Sequence, residues 1–508
     1  MTAFNLANPT DLMLALAPDL LLMLGSMMLL LWAAWRPESD QHQRRVGGMS
    51  IILLIAVLVF VLYEGYLGMA ATDGVIAVDS FRWLTDVILL LGALGTIALS
   101  MDYNVREGIT AGESHVLVLL ATSGMMLLAA ARDLMIVFLG IELMSVAVYI
   151  LAGMNRRSGR SAEGALKYFL LGAFSTAFLL YGIALVYGAT GSTLFSDIGA
   201  RIVQLGLGGS PLLLIGVALM LVGLAFKVAA VPFHMWAPDV YDGAPTPITA
   251  FMAAAVKAAA FATFLRIWFE AFPTINLSWH LPLWWIAVAT MVVGNLVALT
   301  QKNIKRMLAY SSIAHAGYVL VAIIVGTAAG TWAFLFYLLA YTLATIGAFA
   351  VVTAIGETGE KRLSIEDYAG LWSVRPALAI AMAVFMFALL GFPIVGGLGF
   401  LAKWFMLKAA LQAPAPQTRL AIVLVLTSVI SAGYYLYVVM VMFMRPRVAG
   451  ATAPQPVGRM TASVIAVSAA LILLFGLYPN PIVRWTQASG LLVPSTGSVR
   501  TIATPLER

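Results

Sequence analysis

The sequence predicts an all-α polytopic membrane protein of about fourteen transmembrane helices. Three observations lead there. Of its 508 residues, 62% are hydrophobic and only 10% charged, against about 25% charged residues in soluble domains. Apolar runs of roughly 18 residues or more, enough to cross the hydrocarbon core, recur from Leu12 almost to Leu477. These runs are continuous rather than alternating, which argues against a β-barrel.

Spans are read at residues 12–35, 48–67, 79–101, 114–131, 133–153, 164–189, 211–241, 247–272, 281–301, 304–326, 330–355, 376–412, 418–443 and 461–478. Basic residues then collect on alternate loops, beginning with Arg36, Arg44 and Arg45, then Arg106, then Arg156, Arg157 and Arg160. Lys302, Lys305 and Arg306, then Lys361 and Arg362, and last Arg445, Arg447 and Arg459 continue the series. The opposite loops hold isolated basics such as Arg132, Arg201 and Arg419. By the positive-inside rule both termini face away from the cytoplasm. The N-terminal stretch lacks the basic region of a cleaved signal peptide and shows no transit-peptide pattern, which favours a bacterial origin. The expected location is a bacterial inner membrane with periplasmic termini, the alternative being the mitochondrial inner membrane.

Two segments exceed one straight crossing, 211–241 and 376–412. The first is interrupted at Pro232 and the second by GFPIVGGLGF at 391–400. Proline removes a backbone donor and clashes with the preceding turn, and freed polar groups at that depth persist only inside protein or along water. These are spans seven and twelve, five apart, and a five-span unit reverses its own topology. The expected core is therefore an inverted pair, spans 4–8 and 9–13, with broken helices 7 and 12. The chain reads as one membrane domain, 1–508, with a leading three-helix region at 1–113. A first five-helix repeat at 114–272, its inverted counterpart at 281–443, and a last helix and tail at 444–508 complete it.

Ionisable residues inside spans are costly and tend to be functional. Lys227, Lys257 and Lys403 lie in apolar stretches, and Glu142 lies in IVFLGIELMSVAVYIL. The bland reading of Glu142 is a buried acid pinning two helices. Lys227, five residues before Pro232, could instead snorkel. Lys257 is flanked by AAAV and AAAF with no interface in reach, so snorkelling fails there. Lys403 lies ten residues beyond Pro393, whereas Lys408 is placed to snorkel. Lys167, His234 and His315 are candidate accessory groups, His315 lying among Ser311 and Ser312. A chain of such groups is suited to moving protons, with Glu142 and Lys227 as a switching ion pair.

The chain contains no cysteine, so thiolate-held Fe–S clusters and zinc–thiolate sites cannot be built. Its five histidines are scattered without ligand spacing, and no GxGxxG or P-loop marks a nucleotide site. No cofactor or metal is expected in this chain. The net charge of +6 is spread over short loops, so the expected surroundings are the lipid bilayer and not nucleic acid.

The stretch FKVAAVPFHMWAPDVYDGAPTPITAFMAAAVKAAAF at 226–261 resembles the antiporter-like subunits of respiratory complex I, the proton-pumping NADH:quinone oxidoreductase. FLGIELMSVAVYIL, ALKYFLLGAFSTA, QKNIKRMLAYSSIAHAGY and LLGFPIVGGLGFLAKW look like further blocks of that family, extending the resemblance over essentially the whole chain. It implies fourteen helices with inverted five-helix repeats. It also implies that Glu142, Lys227, Lys257 and Lys403 match the glutamate of helix 5 and the lysines of helices 7, 8 and 12. Lys167 and His234 resemble accessory polar positions. Lysine at 403 argues against the M-type subunit, and the short tail after span fourteen argues against the L-type, which leaves the N-type. FMN, Fe–S clusters and quinone would then lie in partner subunits, and the neighbours would be other membrane-arm subunits, including an adjacent antiporter-like one. Two further functions compete with redox-driven proton translocation. One is a cation/proton antiporter subunit of a multisubunit Na⁺/H⁺ antiporter or a membrane-bound hydrogenase. The other is a passive scaffold held together by its buried charges.

Overall fold

The computed structural model of the chain describes residues 6, 8–71, 74–447 and 455–491. Among these, twelve helices are long and apolar enough to cross a membrane. Two shorter apolar helices, Pro211–Lys227 and Pro376–Leu390, occur where the interrupted segments were read. In order, α1 (Ala17–Trp35), α2 (Asp40–Leu67) and α3 (Ser80–Glu107) lead the chain. A first group of five follows: α4 (Glu113–Ala130), α5 (Leu134–Ala152), α6 (Gly159–Thr190), the divided α7 (Pro211–Lys227, then Trp236–Gly243) and α8 (Thr246–Glu270). A second group of five comprises α9 (Asn276–Ala298), α10 (Ile304–Val325), α11 (Ala328–Ile355), the divided α12 (Pro376–Leu390, then Gly397–Gln412) and α13 (Thr418–Met444). The last long helix is α14 (Arg459–Leu477), followed by a short one, Asn480–Ser489. Residues 492–508, part of the expected short tail, lie outside the described residues.

Local chemistry sets the helix boundaries. Side chains of Ser39, Asp79, Asp133, Ser158, Asn303 and Thr327 accept backbone N–H groups at the starts of α2, α3, α5, α6, α10 and α11, satisfying donors that have no partner within the helix. The Ser39 cap starts α2 at Asp40 rather than residue 48, so Arg44 and Arg45 sit in its first turns. Gly108, at φ 66°, closes α3, a conformation glycine adopts without a Cβ penalty.

The two five-helix groups share a backbone joint. At the start of α5, Leu134 N donates to Thr193 O (2.9 Å) and Phe195 N to Arg132 O (2.9 Å). At the start of α10, Ile304 N donates to Leu363 O (2.8 Å) and Ile365 N to Lys302 O (2.9 Å). In both cases the loop after the next long helix returns to pair with the residue before the cap. The joints lie at opposite ends of α8. Arg132 pairs with Glu270 at the C-terminal end of α8 (3.0 Å), while Asn303 bonds Asp242 near its N-terminal end (2.8 Å).

α8 is wholly buried and forms the centre of the molecule. The leading helices carry a charge cluster that the sequence reading did not single out. Fully buried Arg82 pairs with Asp19 at 2.5 Å and Asp86 at 3.5 Å. The N-cap of α3, Asp79, meets Arg266 of α8 at 2.8 Å, tying the leading region to the centre.

Candidate functional site

Lys227 is the last residue of the first half of α7, where the negative end of the helix dipole favours a cation. The chain leaves the helix through Ala229 at φ 56°. Ala229 N donates to Phe226 O and Ala230 N to Ala225 O, closing the helix end. Polar groups freed by the break find side chains: Val231 N donates to Thr290 Oγ1 (2.9 Å) and Trp236 Nε1 to Phe226 O (3.1 Å). The Lys227 ammonium donates to Ser145 Oγ (2.8 Å) and Tyr149 OH (3.3 Å) on α5. Those residues follow Glu142 by three and seven positions, so all three share one face of α5. Among the described residues no ion pair or hydrogen bond joins Glu142 to Lys227; the half-buried acid lies on the α5 face that carries the two hydroxyls. The ion pair expected from sequence is not formed: Lys227 is held instead by two hydroxyls of α5.

Lys257 lies eleven residues into α8, about 16 Å along it at 1.5 Å per residue. A π-helical turn, Met252–Val256, immediately precedes it, a distortion frequent at functional positions. Its ammonium donates to the carbonyl of Ser312 on α10 (2.9 Å) and to the Ser312 hydroxyl, and sits 5.9 Å from the Tyr241 ring.

His315 follows Ser312 by three residues. Its Nε2 meets Tyr435 OH at 3.1 Å and its Nδ1 meets Tyr337 OH at 2.7 Å. The Tyr435 hydroxyl also bonds Ser311. Lys403, on the second half of α12, lies 4.8 Å from the Tyr318 ring and donates to Leu390 O (2.9 Å). Leu390 ends the first half of α12, so the lysine itself satisfies a carbonyl left free by the break. A cavity of about 10 Å³, lined by His315, Tyr337, Tyr341 and Lys403 among others, lies between histidine and lysine, room for about one water. The structure therefore brings Lys257, His315 and Lys403 together through α10.

Lys227 and Lys257 are spanned differently. Tyr149 packs on Tyr168, Tyr168 stacks on Trp236, Trp236 meets Tyr241, and Tyr241 faces Lys257. Among the described residues no continuous file of hydrogen-bonded side chains joins these two lysines. His234 sits half-buried in the α7 break, and among the described residues no hydrogen bond joins it to Lys227, Lys257 or Lys403. Lys167 is partly exposed and pairs with Glu163 (2.7 Å) and Asp239 (2.9 Å), away from the central file. Lys408 is exposed. Ser145, Tyr149, Tyr337 and Tyr435 were not singled out from sequence; only the helical spacing from Glu142 could have pointed to the first two. Among the described residues no group of three or more His, Asp or Glu side chains is arranged to hold a metal ion.

A family profile described as NADH:quinone oxidoreductase/Mrp antiporter, TM, matches residues 131–431. NADH-quinone oxidoreductase subunit N of Gemmatimonas aurantiaca is 55% identical, the match covering 92% of each chain. The subunit N of Trichlorobacter lovleyi is 46% identical over 94% of this chain and 96% of its own. Among solved structures, a chain of respiratory complex I from Thermus thermophilus with bound aureothin is 38% identical, with a TM-score of 0.79 over 93% of this chain and 100% of that one. A chain of the Mrp complex from Dietzia shares the fold, with a TM-score of 0.82 at 20% identity, over 94% of this chain and 97% of that one. The chain belongs to the NADH:quinone oxidoreductase/Mrp antiporter family of membrane subunits, and within it to the subunit N group of NADH-quinone oxidoreductase.

Proposed function

We propose that this subunit carries protons across the membrane arm of complex I through Glu142, Lys227, Lys257 and Lys403, with Lys167, His234 and His315 as accessory groups. The observation that carries the reading is the buried connection Lys257–Ser312 and His315–Lys403, in which two intramembrane ammonium groups flank one imidazole. Such groups are expensive in hydrocarbon and are kept where charge must cross it. The drive is quinone reduction elsewhere in the complex, with FMN, Fe–S clusters and quinone held by partner subunits. The subunit sits in the bacterial inner membrane among other membrane-arm subunits, one an adjacent antiporter-like chain, with both termini periplasmic. The shared joints at the starts of α5 and α10 support an inverted repeat at 114–272 and 281–443, preceded by the region at 1–113 and followed by 444–508.

The test is Lys257→Ala in assembled complex reconstituted into vesicles. Most proton pumping and coupled NADH oxidation should be lost, because none of the alanine neighbours of Lys257 can carry a proton. Wild-type pumping stoichiometry in that variant overturns the relay.

A further inference from the structure

Glu360 lies in the loop between α11 and α12, outside the spans, at φ 56°, a region side chains seldom adopt and which its surroundings must hold. Its carboxylate is buried and gathers three parts of the molecule. It accepts from Tyr103 OH of α3 (2.5 Å), from Thr246 N (3.0 Å) and Thr246 Oγ1 (2.8 Å) at the start of α8, and from Lys305 Nζ in the first turn of α10 (3.1 Å). Lys305, itself fully buried, also donates to Ala244 O (2.6 Å) in the turn between α7 and α8. Burial opposes the Glu360 charge, but Lys305, Tyr103 and Thr246 outweigh it and hold the carboxyl below its usual range.

Helical spacing connects this knot to Lys257. Thr246 opens α8 and Lys257 lies eleven residues further along the same helix, just past the π-helical turn at Met252–Val256. Lys305 and Ser312 are seven apart, two turns on one face of α10, and Ser312 holds Lys257. Between the two levels Leu308, Thr249 and Tyr241 are buried. An outer layer of ion pairs, Asp239 with Arg306 (2.8 Å) and with Lys167 (2.9 Å), lies on the same side.

We propose that Glu360 and Lys305 are positioning residues that close the approach to Lys257 from the basic-loop face, so that Lys257 takes a proton from that side only when this pair parts. This rests on the relay reading above. While the pair is closed, the starts of α8 and α10 are bolted together over Lys257. Thr246 is held by Glu360 and Ala244 by Lys305, so a parting in which both side chains withdraw frees the turn between α7 and α8 to move off the lysine.

The chain has no cysteine of its own, so Leu308→Cys places one reporter thiol between the pair and Ser312. Assembled complex carrying it is treated with a membrane-impermeant maleimide, and labelling of this subunit is read by peptide mass spectrometry. Leu308→Cys alone should stay unlabelled. Adding Glu360→Gln or Lys305→Met should raise labelling severalfold and lower the protons pumped per NADH, while adding Glu360→Asp should restore protection. Protection in both the Gln and Met backgrounds overturns the proposal, as does labelling of the parent. Should Glu360→Gln fail to assemble, Tyr103→Phe removes a single donor and is expected to give intermediate labelling; full protection there overturns the proposal equally. Labelling is read without turnover, so it stands or falls separately from the Lys257→Ala pumping test.

Discussion

Lys227 shows how much of the site depends on atoms beside the charge. Its two hydroxyl partners lie on the face of α5 that carries Glu142. A hydrogen bond to a charged group is worth about 1.5–3 kcal/mol. Ser145→Ala should therefore shift the charge state of Lys227 and slow pumping about tenfold or more, each 1.4 kcal/mol being a factor of ten, with the complex still assembled; unchanged turnover excludes the hydroxyl as a support. Glu142→Gln removes a charge that acts at a distance, and Glu142→Asp keeps it. Activity should fall further in the Gln variant, and equal activities in vesicle assays would exclude charge coupling. The burial of Lys227, Lys257 and Lys403 was legible in the sequence because each lies inside a long apolar stretch. Their partners were not, since a serine or tyrosine in an apolar helix is unremarkable until a neighbouring helix is placed beside it.

At the scale of elements, the two broken helices were legible from length and from Pro232 and the glycines at 391–400. What the sequence could not tell was how each break is satisfied. In α7 a threonine and a tryptophan take the freed groups, whereas in α12 Lys403 does so itself. Close approach explains the glycines of the second break. A Cβ on Gly399 would lie 2.0 Å from Ala388 O, and one on Gly476 of α14 would lie 2.3 Å from Gly397 Cα. Gly399→Ala must push the halves of α12 apart, at about 1–3 kcal/mol for overpacking, and moves Leu390 relative to Lys403. Pumping should fall while NADH oxidation by the peripheral part persists; full coupling in Gly399→Ala would show that the halves of α12 need not touch. α2 begins eight residues before its apolar run because its first turns are polar and are started by the Ser39 cap.

For the whole molecule, Glu360 links the leading helices to both groups of five, and its contribution has a definite pH dependence. Its carboxyl is held below the ordinary glutamate range despite burial, so the stabilisation is fully present above the unfolded value of about 4.3 and is lost as pH falls through the folded value. Lys305, Tyr103, Tyr368, Arg106 and Glu107 are titratable groups around it. The gap in thermal inactivation midpoint between the parent complex and Glu360→Gln should stay constant through neutral pH and shrink in acid. A gap that changes between mildly acidic and mildly alkaline buffer would mean that another group sets it. No motif marked Glu360 in the sequence, where it reads as one more charge in a polar loop.

The matched joints before α5 and α10 bear on direction. The same pair of backbone hydrogen bonds is made near each end of α8, so these joints favour neither inward nor outward flow. Any one-way behaviour must come from side chains that differ between the halves. The caps already differ: Asp133, which also binds Thr193 (2.6 Å), stands on one face, and neutral Asn303, which binds Asp242, stands on the other. Exchanging those two residues would ask whether the rectifier resides in a handful of substitutions laid over a reversible frame.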